Sequence, residues 1–325
     1  VLGAFRFHWD GAVHSVGASF GVAGLAADDP QGLLTLSRAD SACRTAKQQG
    51  RGRIEVGVEP GNHVTLPRND AYWSERMVGS LDEQSAIAEF DEIASLGGNP
   101  TRRWKLRPRI RDLDGRLVEF DTFGPGAERH GTVHLLDAWA LRAALGLLGR
   151  SAAGLRVRIH LAVSASSLAH ADFMRTCVEC LRTHPAAAHQ IAFEIPDAAA
   201  ESQMAIVLGF AEAARAAGAE VFLTGFGIGS ALGTLRTMPI DGIELDAELA
   251  NKLATSDVER AIVRGIRGIA SSLNLITIAR SCDTSATAEQ LREEGIDYAQ
   301  GDAFRRRQAG NEVLRGLHPV GPGRT

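Results

Sequence analysis

No run in this chain approaches the ~18–20 uncharged apolar residues of a membrane-spanning helix. No basic stretch or Met opens it, so no leader peptide is expected, and Val1 begins in mid-pattern as a piece of a longer protein would. Charge of one sign is also lacking. Lys and Arg number 35 against 39 Asp and Glu, a formal net charge of −4, which argues against general nucleic-acid binding. There are only four cysteines in 325 residues, so a disulfide framework is not expected. Cys177 and Cys180 form one C-x-x-C, with no second pair or histidine cluster to complete a zinc site. Two small apolar residues on a helix is the simpler reading, and a reducing, cytoplasmic location fits. Of the ten histidines, His130, His134, His160, His170, His184 and His189 form no metal-spaced pair on a helix face, which leaves them structural or surface roles.

What is present is a core. Hydrophobic residues make up 45% of the chain, normal for a globular protein. Residues 1–60 carry strand-like segments at Ala4–Trp9, Val13–Val22 and Ile54–Val58. Between them, Leu33, Leu34, Leu36, Ala39, Ala42, Cys43 and Ala46 recur at helical spacing. That piece is too short to be a robust domain alone. Pro60–Pro67 is rich in turn residues. A connector helix over about Asn69–Leu81 is predicted to follow, with Asn69 or Asp70 as N-cap and Tyr72, Trp73, Met77, Val78 and Leu81 on one face.

From there strands and helices alternate. Predicted strands are Val157–Val163, Gln190–Ile195, Glu220–Thr224, Gly242–Leu245 and Leu275–Ala279. The helices following them are Ala171–Leu181, Glu201–Ala217, Ala231–Arg236, Asp257–Ser271 and Ser285–Glu294. Apolar strands alternating with amphipathic helices imply a parallel sheet covered by helices. The repeat, running from about Glu89 to the end, suits a barrel better than an open doubly wound sheet. Gly225–Gly229 follows a strand but lacks the spacing of a dinucleotide fingerprint.

In such barrels chemistry sits at the C-terminal strand ends. Here those ends resemble, in order and spacing, the EAL family of cyclic-di-GMP phosphodiesterases. Asp112–Val118 followed by Phe123–Arg129 resembles its DxDG…FIPxAER stretch, and Leu136–Trp139 its LDRW. Gly225–Gly229 is similar to the tail of DDFGxG, Met238–Asp246 to LPVDxLKID, and Gly295–Gly301 to GVDYAQG. Residues 1–60 resemble the second half of a GGDEF (diguanylate cyclase) domain, through Phe7-His8-Trp9, Gly17–Val22 and Ala39–Arg53. The stretch that names that family is not among these residues. The organisation expected is therefore a partial GGDEF-type α/β segment at 1–60, a connector helix at 61–82, a TIM-like (β/α)8 barrel of EAL type at 83–310, and a flexible tail at 311–325.

The resemblance implies hydrolysis by two divalent cations, Mg2+ or Mn2+, held mainly by carboxylates. Carried over position by position, most of those ligands are replaced. The namesake glutamate falls on Lys105, the asparagine of NLS on Ala162, and the paired aspartates of DDFG on Thr224 and Gly225. The lysine of LKID falls on Glu244, and the glutamate opening EGVE on Arg280. A guanine-contacting glutamine near Asp91-Glu92-Ile93 is gone. A ligand-binding remnant is left: Arg109, Glu194, Asp246 and Gln300, with Asp197 as a conservative companion acid. Unit charges ~4 Å apart at an effective dielectric near 20 repel by about 4 kcal/mol, and a dication doubles that. Lys105 and Arg280 should therefore expel the metals.

The expectation is no metal, no cofactor and no enzyme activity: an inactive EAL-like signalling and interaction module with a protein partner or a second copy of itself. The alternatives are a metal-independent cyclic-di-GMP sensor, favoured by Arg109 and Gln300, and a residual phosphodiesterase. A structural expectation accompanies this. Lys105, Arg280, Glu244 and Glu194 should form an ion-pair cluster in the barrel mouth, which separations above ~6 Å would reject.

Overall fold

The computed structural model describes residues 6–9, 12–15, 19–24, 54–57, 69–150, 156–230, 232–253, 255–304 and 308–309, with scattered helical positions between 35 and 46. The expected tail at 311–325 lies outside the described residues. Two compact units divide at Tyr72 and Trp73.

In the first unit, β1 (Arg6–Trp9) and β2 (Ala12–Ser15) form an antiparallel pair. β3 (Phe20–Ala23) and β4 (Ile54–Gly57) pair in parallel. The single strand expected over Val13–Val22 is thus two strands in two sheets. Gly21 explains the register of β3. A Cβ there would overlap the backbone at Ala39 and Cys43, so the helical stretch lies directly on that face. The opposite face presents Phe20, Val22, Ile54 and Val56, each 41–65% exposed.

Helix α1 (Asp70–Asp82) begins as expected: the Asn69 side chain accepts a hydrogen bond from the Tyr72 amide at 2.9 Å. The second unit then forms a barrel from β5 (Ile87–Ser95), β6 (Arg102–Arg111), β8 (Val157–Ala162), β9 (Ile191–Pro196), β10 (Glu220–Phe226), β11 (Gly242–Leu245), β12 (Ile276–Ala279) and β13 (Tyr298–Ala299). β5 closes it by pairing with both β6 and β13. Strand β7 (Leu117–Glu119) extends β6 as a hairpin, and β14 (Gln308–Ala309) lies beside β5.

One strand departs from the parallel pattern. β5 runs antiparallel to both of its barrel neighbours. Only residues 96–101, carrying Gly97, Gly98 and Pro100, join it to β6. A parallel crossover needs about a dozen residues or more, so this link permits only a reversal.

Helices α2 (Phe120–Arg129) and α3 (Val133–Leu148) follow β7, and α4 (Ala165–Leu168), α5 (Ala171–Thr183) and α6 (Pro185–Ala188) follow β8. The helix expected over Glu201–Ala217 is divided at Gln203 into α7 (Asp197–Ser202) and α8 (Met204–Ala216). Helices α9 (Leu232–Thr237), α10 (Ala247–Lys252), α11 (Asp257–Ser272) and α12 (Ser285–Glu293) complete the outer layer. The main core lies between strands and helices. A smaller cluster of Ile93, Ala192, Phe222, Ile278 and Tyr298 fills the barrel interior. Cys177 belongs to the main core, where burial pushes its thiol up to about 12, and it and Cys180 are free.

Candidate functional site

Side chains alternate across a strand, so every second residue of β6 faces the barrel interior. On this strand that set includes Arg103 and Lys105, while Trp104 and Leu106 join the outer core. Two cations are thereby forced into the barrel and need partners.

Lys105 finds two. Its Nζ lies 2.5 Å from Glu194 Oε2 on β9 and 3.2 Å from Glu244 Oε2 on β11. All three side chains are at most 5% exposed. Arg280, one residue past β12, places its Nε 3.6 Å from Glu244 Oε1, and Gln300, one past β13, donates to Glu244 Oε2 at 3.3 Å. The expected mouth cluster is therefore present, with Lys105 inside the ~6 Å limit of both Glu194 and Glu244, and Arg280 inside that limit of Glu244.

The cluster continues downward. His160 on β8 is wholly buried, with Nδ1 3.0 Å from Glu194 Oε1 and Nε2 2.9 Å from Arg103 Nη1. A guanidinium only donates and a carboxylate only accepts. His160 must then carry its proton on Nδ1 and a lone pair on Nε2, which is the neutral imidazole. Its pKa is lowered accordingly, burial outweighing Glu194. Arg103 Nη1 also donates to Glu220 Oε2 at 2.7 Å, and Arg158 Nε to Glu220 Oε1 at 2.7 Å. A column of alternating charge thus runs through the barrel: Arg280, Glu244, Lys105, Glu194, neutral His160, Arg103, Glu220, Arg158.

One ammonium serves two carboxylates, and they do not share it equally. Burial raises both, but Lys105 and His160 outweigh it at Glu194, holding that carboxyl well below its ordinary range. At Glu244 burial wins over Lys105 and Arg280, helped by repulsion from Glu194, and the group is pushed up.

The remaining positions lie apart from the column. Ala162, the last residue of β8, offers no donor atom in its side chain, and the register pairs it with Glu194. Between Thr224 and Phe226 the ladder with β11 slips, leaving Gly225 at φ +75°, a conformation that suits glycine and strains a side-chain-bearing residue. Asp246 caps α10, accepting from the Glu248 amide at 2.8 Å. Arg109 is buried against Glu89 at 3.0 Å and Glu119 at 2.7 Å. Arg103, Glu220 and Arg158 were not singled out from sequence, and His160 was given only a structural or surface role. The alternation of cations along β6 (Arg103, Lys105, Arg107, Arg109) was the available signal.

The donor set does not fit a pair of divalent cations. The anionic sites at Glu194 and Glu244 are taken by an ammonium, and among the described residues no group of three or more His, Cys, Asp or Glu side chains converges to hold a metal. No helix among them is long and apolar enough to cross a membrane.

The mouth itself is acidic. A cleft of about 380 Å3 above the cluster is lined by Asp91, Glu92, Asp121, Asp283 and Asp302, against Arg107 and Arg280. Nearby, Asp137 on α3 holds the loop after β8 by accepting from the Ser164 amide at 2.9 Å, and burial pushes its carboxyl up to about 7. A raised acid pKa means the fold favours the protonated form. That contribution is complete below the unfolded value near 3.8 and lost as pH rises through about 7. Asp137→Asn, neutral throughout, should therefore gain on the parent by roughly 2–3 kcal/mol between pH 5 and pH 8 in urea unfolding. A pH-independent difference would contradict this.

Comparison with known proteins places this geometry in context. The family model for the EAL domain matches residues 87–307. The chain is 27% identical over 298 residues to the cyclic di-GMP phosphodiesterase PdeB of Shewanella oneidensis, covering 91% of this chain and 35% of that protein. The chain thus spans about a third of that relative's length. Among solved structures, the FimX EAL domain from Pseudomonas aeruginosa bound to c-di-GMP is similar with a TM-score of 0.66 at 17% identity, covering 73% of this chain and 96% of that one. The S helix-GGDEF-EAL portion of Vibrio cholerae LapD has a TM-score of 0.68 at 19% identity, covering 83% and 64%.

Proposed function

This chain belongs to the EAL domain family, and on that premise we propose that its barrel is a non-catalytic signalling domain that acts through protein contacts. The observation that carries the reading is the Lys105 ammonium lodged between the buried carboxylates of Glu194 and Glu244. The family's reaction is implied to run through two metals, and here a fixed cation neutralises the anionic site from within. Arg280 adds a second cation at the rim.

The alternative, metal-independent binding of cyclic-di-GMP, draws support from Gln300, which lines the mouth with its buried Oε1 unpartnered. Against it, two phosphates would face a mouth with five carboxylates and two guanidinium groups. Arg109 is already ion-paired to two carboxylates.

We also read the first unit as the latter half of a GGDEF-type domain. The likeness to LapD, whose structure contains both kinds of domain, covers more of this chain than the EAL match does. The exposed apolar face of β3 and β4 suits a sheet built to be covered by further elements.

The deciding experiment is calorimetry with cyclic-di-GMP with and without Mg2+ or Mn2+, alongside chromatographic detection of the linear dinucleotide. The expected outcome is no turnover and no micromolar binding. Micromolar binding independent of metal would replace the interaction reading with the sensor. Turnover that disappears in Glu194→Ala would overturn the non-catalytic reading.

A further inference from the structure

A signalling domain without turnover must act by contact, and one surface is built for a particular chemistry. Beside the mouth, the loops after β9, β10 and β11 enclose a second cleft of about 440 Å3. Asp197, Glu201, Asp246, Glu248 and Glu259 line it, with Lys252 as the one cation. Lys252 is held 2.5 Å from Glu248. Together the two clefts hold ten of the chain's 39 acidic residues but only three of its 35 basic ones, so the rest of the chain is slightly basic. The acidity is local to this end of the barrel.

A second observation points into the cleft. Asp197 is 6% exposed, and its Oδ1 is buried without a hydrogen-bond partner. A buried carboxylate oxygen left unsatisfied lacks a donor. Burial accordingly raises its pKa, Glu201 adds to this, and a hydrogen bond from Ser230 only partly offsets them. The acids are spread along a cleft rather than gathered at a point, and none of their groups converges to hold a metal ion. That arrangement suits an extended cation carried on an apolar stem. The glycine-rich loop 225–229 forms one wall, with Ile228 standing 73% exposed on it.

We propose that this cleft is the docking site for a basic segment of a partner protein, with a lysine or arginine side chain seated against Asp197 and a neighbouring apolar side chain against Ile228. The proposal deepens the contact-based reading above by giving the partner's chemistry.

The test uses the whole chain and a capped peptide carrying two lysines flanked by leucines, with the same peptide acetylated on both lysines as control. Fluorescence anisotropy should report saturable binding of the first and not the second. Asp197→Asn should weaken it roughly tenfold or more, as loss of a buried charge partner does. Ile228→Ser should weaken it roughly threefold through lost apolar contact. Both variants should keep the parent's circular dichroism. Should Asp197→Asn fail to fold, the exposed Ile228→Ser decides alone. Equal binding of the acetylated peptide, no saturable binding, or indifference to both variants would overturn the site. Spermidine binding as tightly as the peptide would also overturn it, in favour of a free polyamine. The two readings fail separately: turnover of cyclic-di-GMP removes the non-catalytic reading with peptide binding intact, whereas absent peptide binding without turnover removes only this site.

Discussion

Lys105→Met is expected to lower the stability of the barrel by about 3–5 kcal/mol, the usual cost of removing one partner from a buried ion pair. The methionine fills a similar volume, so the loss measures charge rather than packing. What remains is two interior carboxylates without their ammonium, Glu194 at 2% and Glu244 at 0% exposure. His160 still donates to Glu194 and Gln300 to Glu244, but neither carries the needed charge. Arg280 is 41% exposed and 3.6 Å away, too solvated to compensate. Neutralising the stranded acids should restore most of the loss, so Lys105→Met with Glu194→Gln and Glu244→Gln is expected to recover more than half of it. Urea unfolding followed by tryptophan fluorescence reads both, because Trp104 is buried beside Lys105 in sequence. A single-variant loss under about 1 kcal/mol would mean that the cluster behaves like a solvated surface pair.

Gly301→Ala should cost roughly 3 kcal/mol or more, and it should do so through backbone. Gly301 adopts φ +152°, and a Cβ there would overlap the nitrogen and carbonyl of Cys282. That contact is anchored from both sides: Cys282 donates its amide to the Gln300 carbonyl at 2.9 Å, and the Ala303 amide donates to the Cys282 carbonyl at 3.1 Å. No flexible side chain is available to give way. The loops after β12 and β13, which carry Arg280 and Gln300, would have to separate. A melting temperature equal to the parent's would show that the loops part freely, contrary to this argument.

Much of the barrel was legible because its strands are short apolar runs with clear breaks, as at Gly242–Leu245, where the expected and observed limits coincide. Strands β5, β6 and β13 were not among those expected, because charged residues interrupt the apolar pattern of the first two and the third spans two residues, and the reversal of β5 went unread with them. Only the short Gly-Gly-Asn-Pro link carried the information. The break at Gln203 was hidden by a helical pattern that continues on both sides of it. Within the site, Lys105, Glu244, Arg280 and Glu194 could be placed because strand ends align in order. His160 could not, because its role depends on groups 34 and 57 residues away that only barrel closure brings together. The same holds for Glu220, which meets Arg103 across 117 residues.

The reversed β5 has a consequence for how the barrel is wired to the helix before it. Ile87, its first residue, pairs with Arg109 near the far end of β6, so the chain arrives at the mouth rim and not at the opposite end. Arg76 of α1 donates to the carbonyl of Arg111 at that same rim, at 2.6 Å. Had β5 run parallel, its nine residues would have moved the arrival point about 30 Å to the other end. As built, α1 and the mouth lie at one end of the barrel: Arg76 reaches the rim directly, Ser74 of the same helix hydrogen-bonds Thr132 at 2.8 Å just before α3, and neither contact passes along the charged column inside.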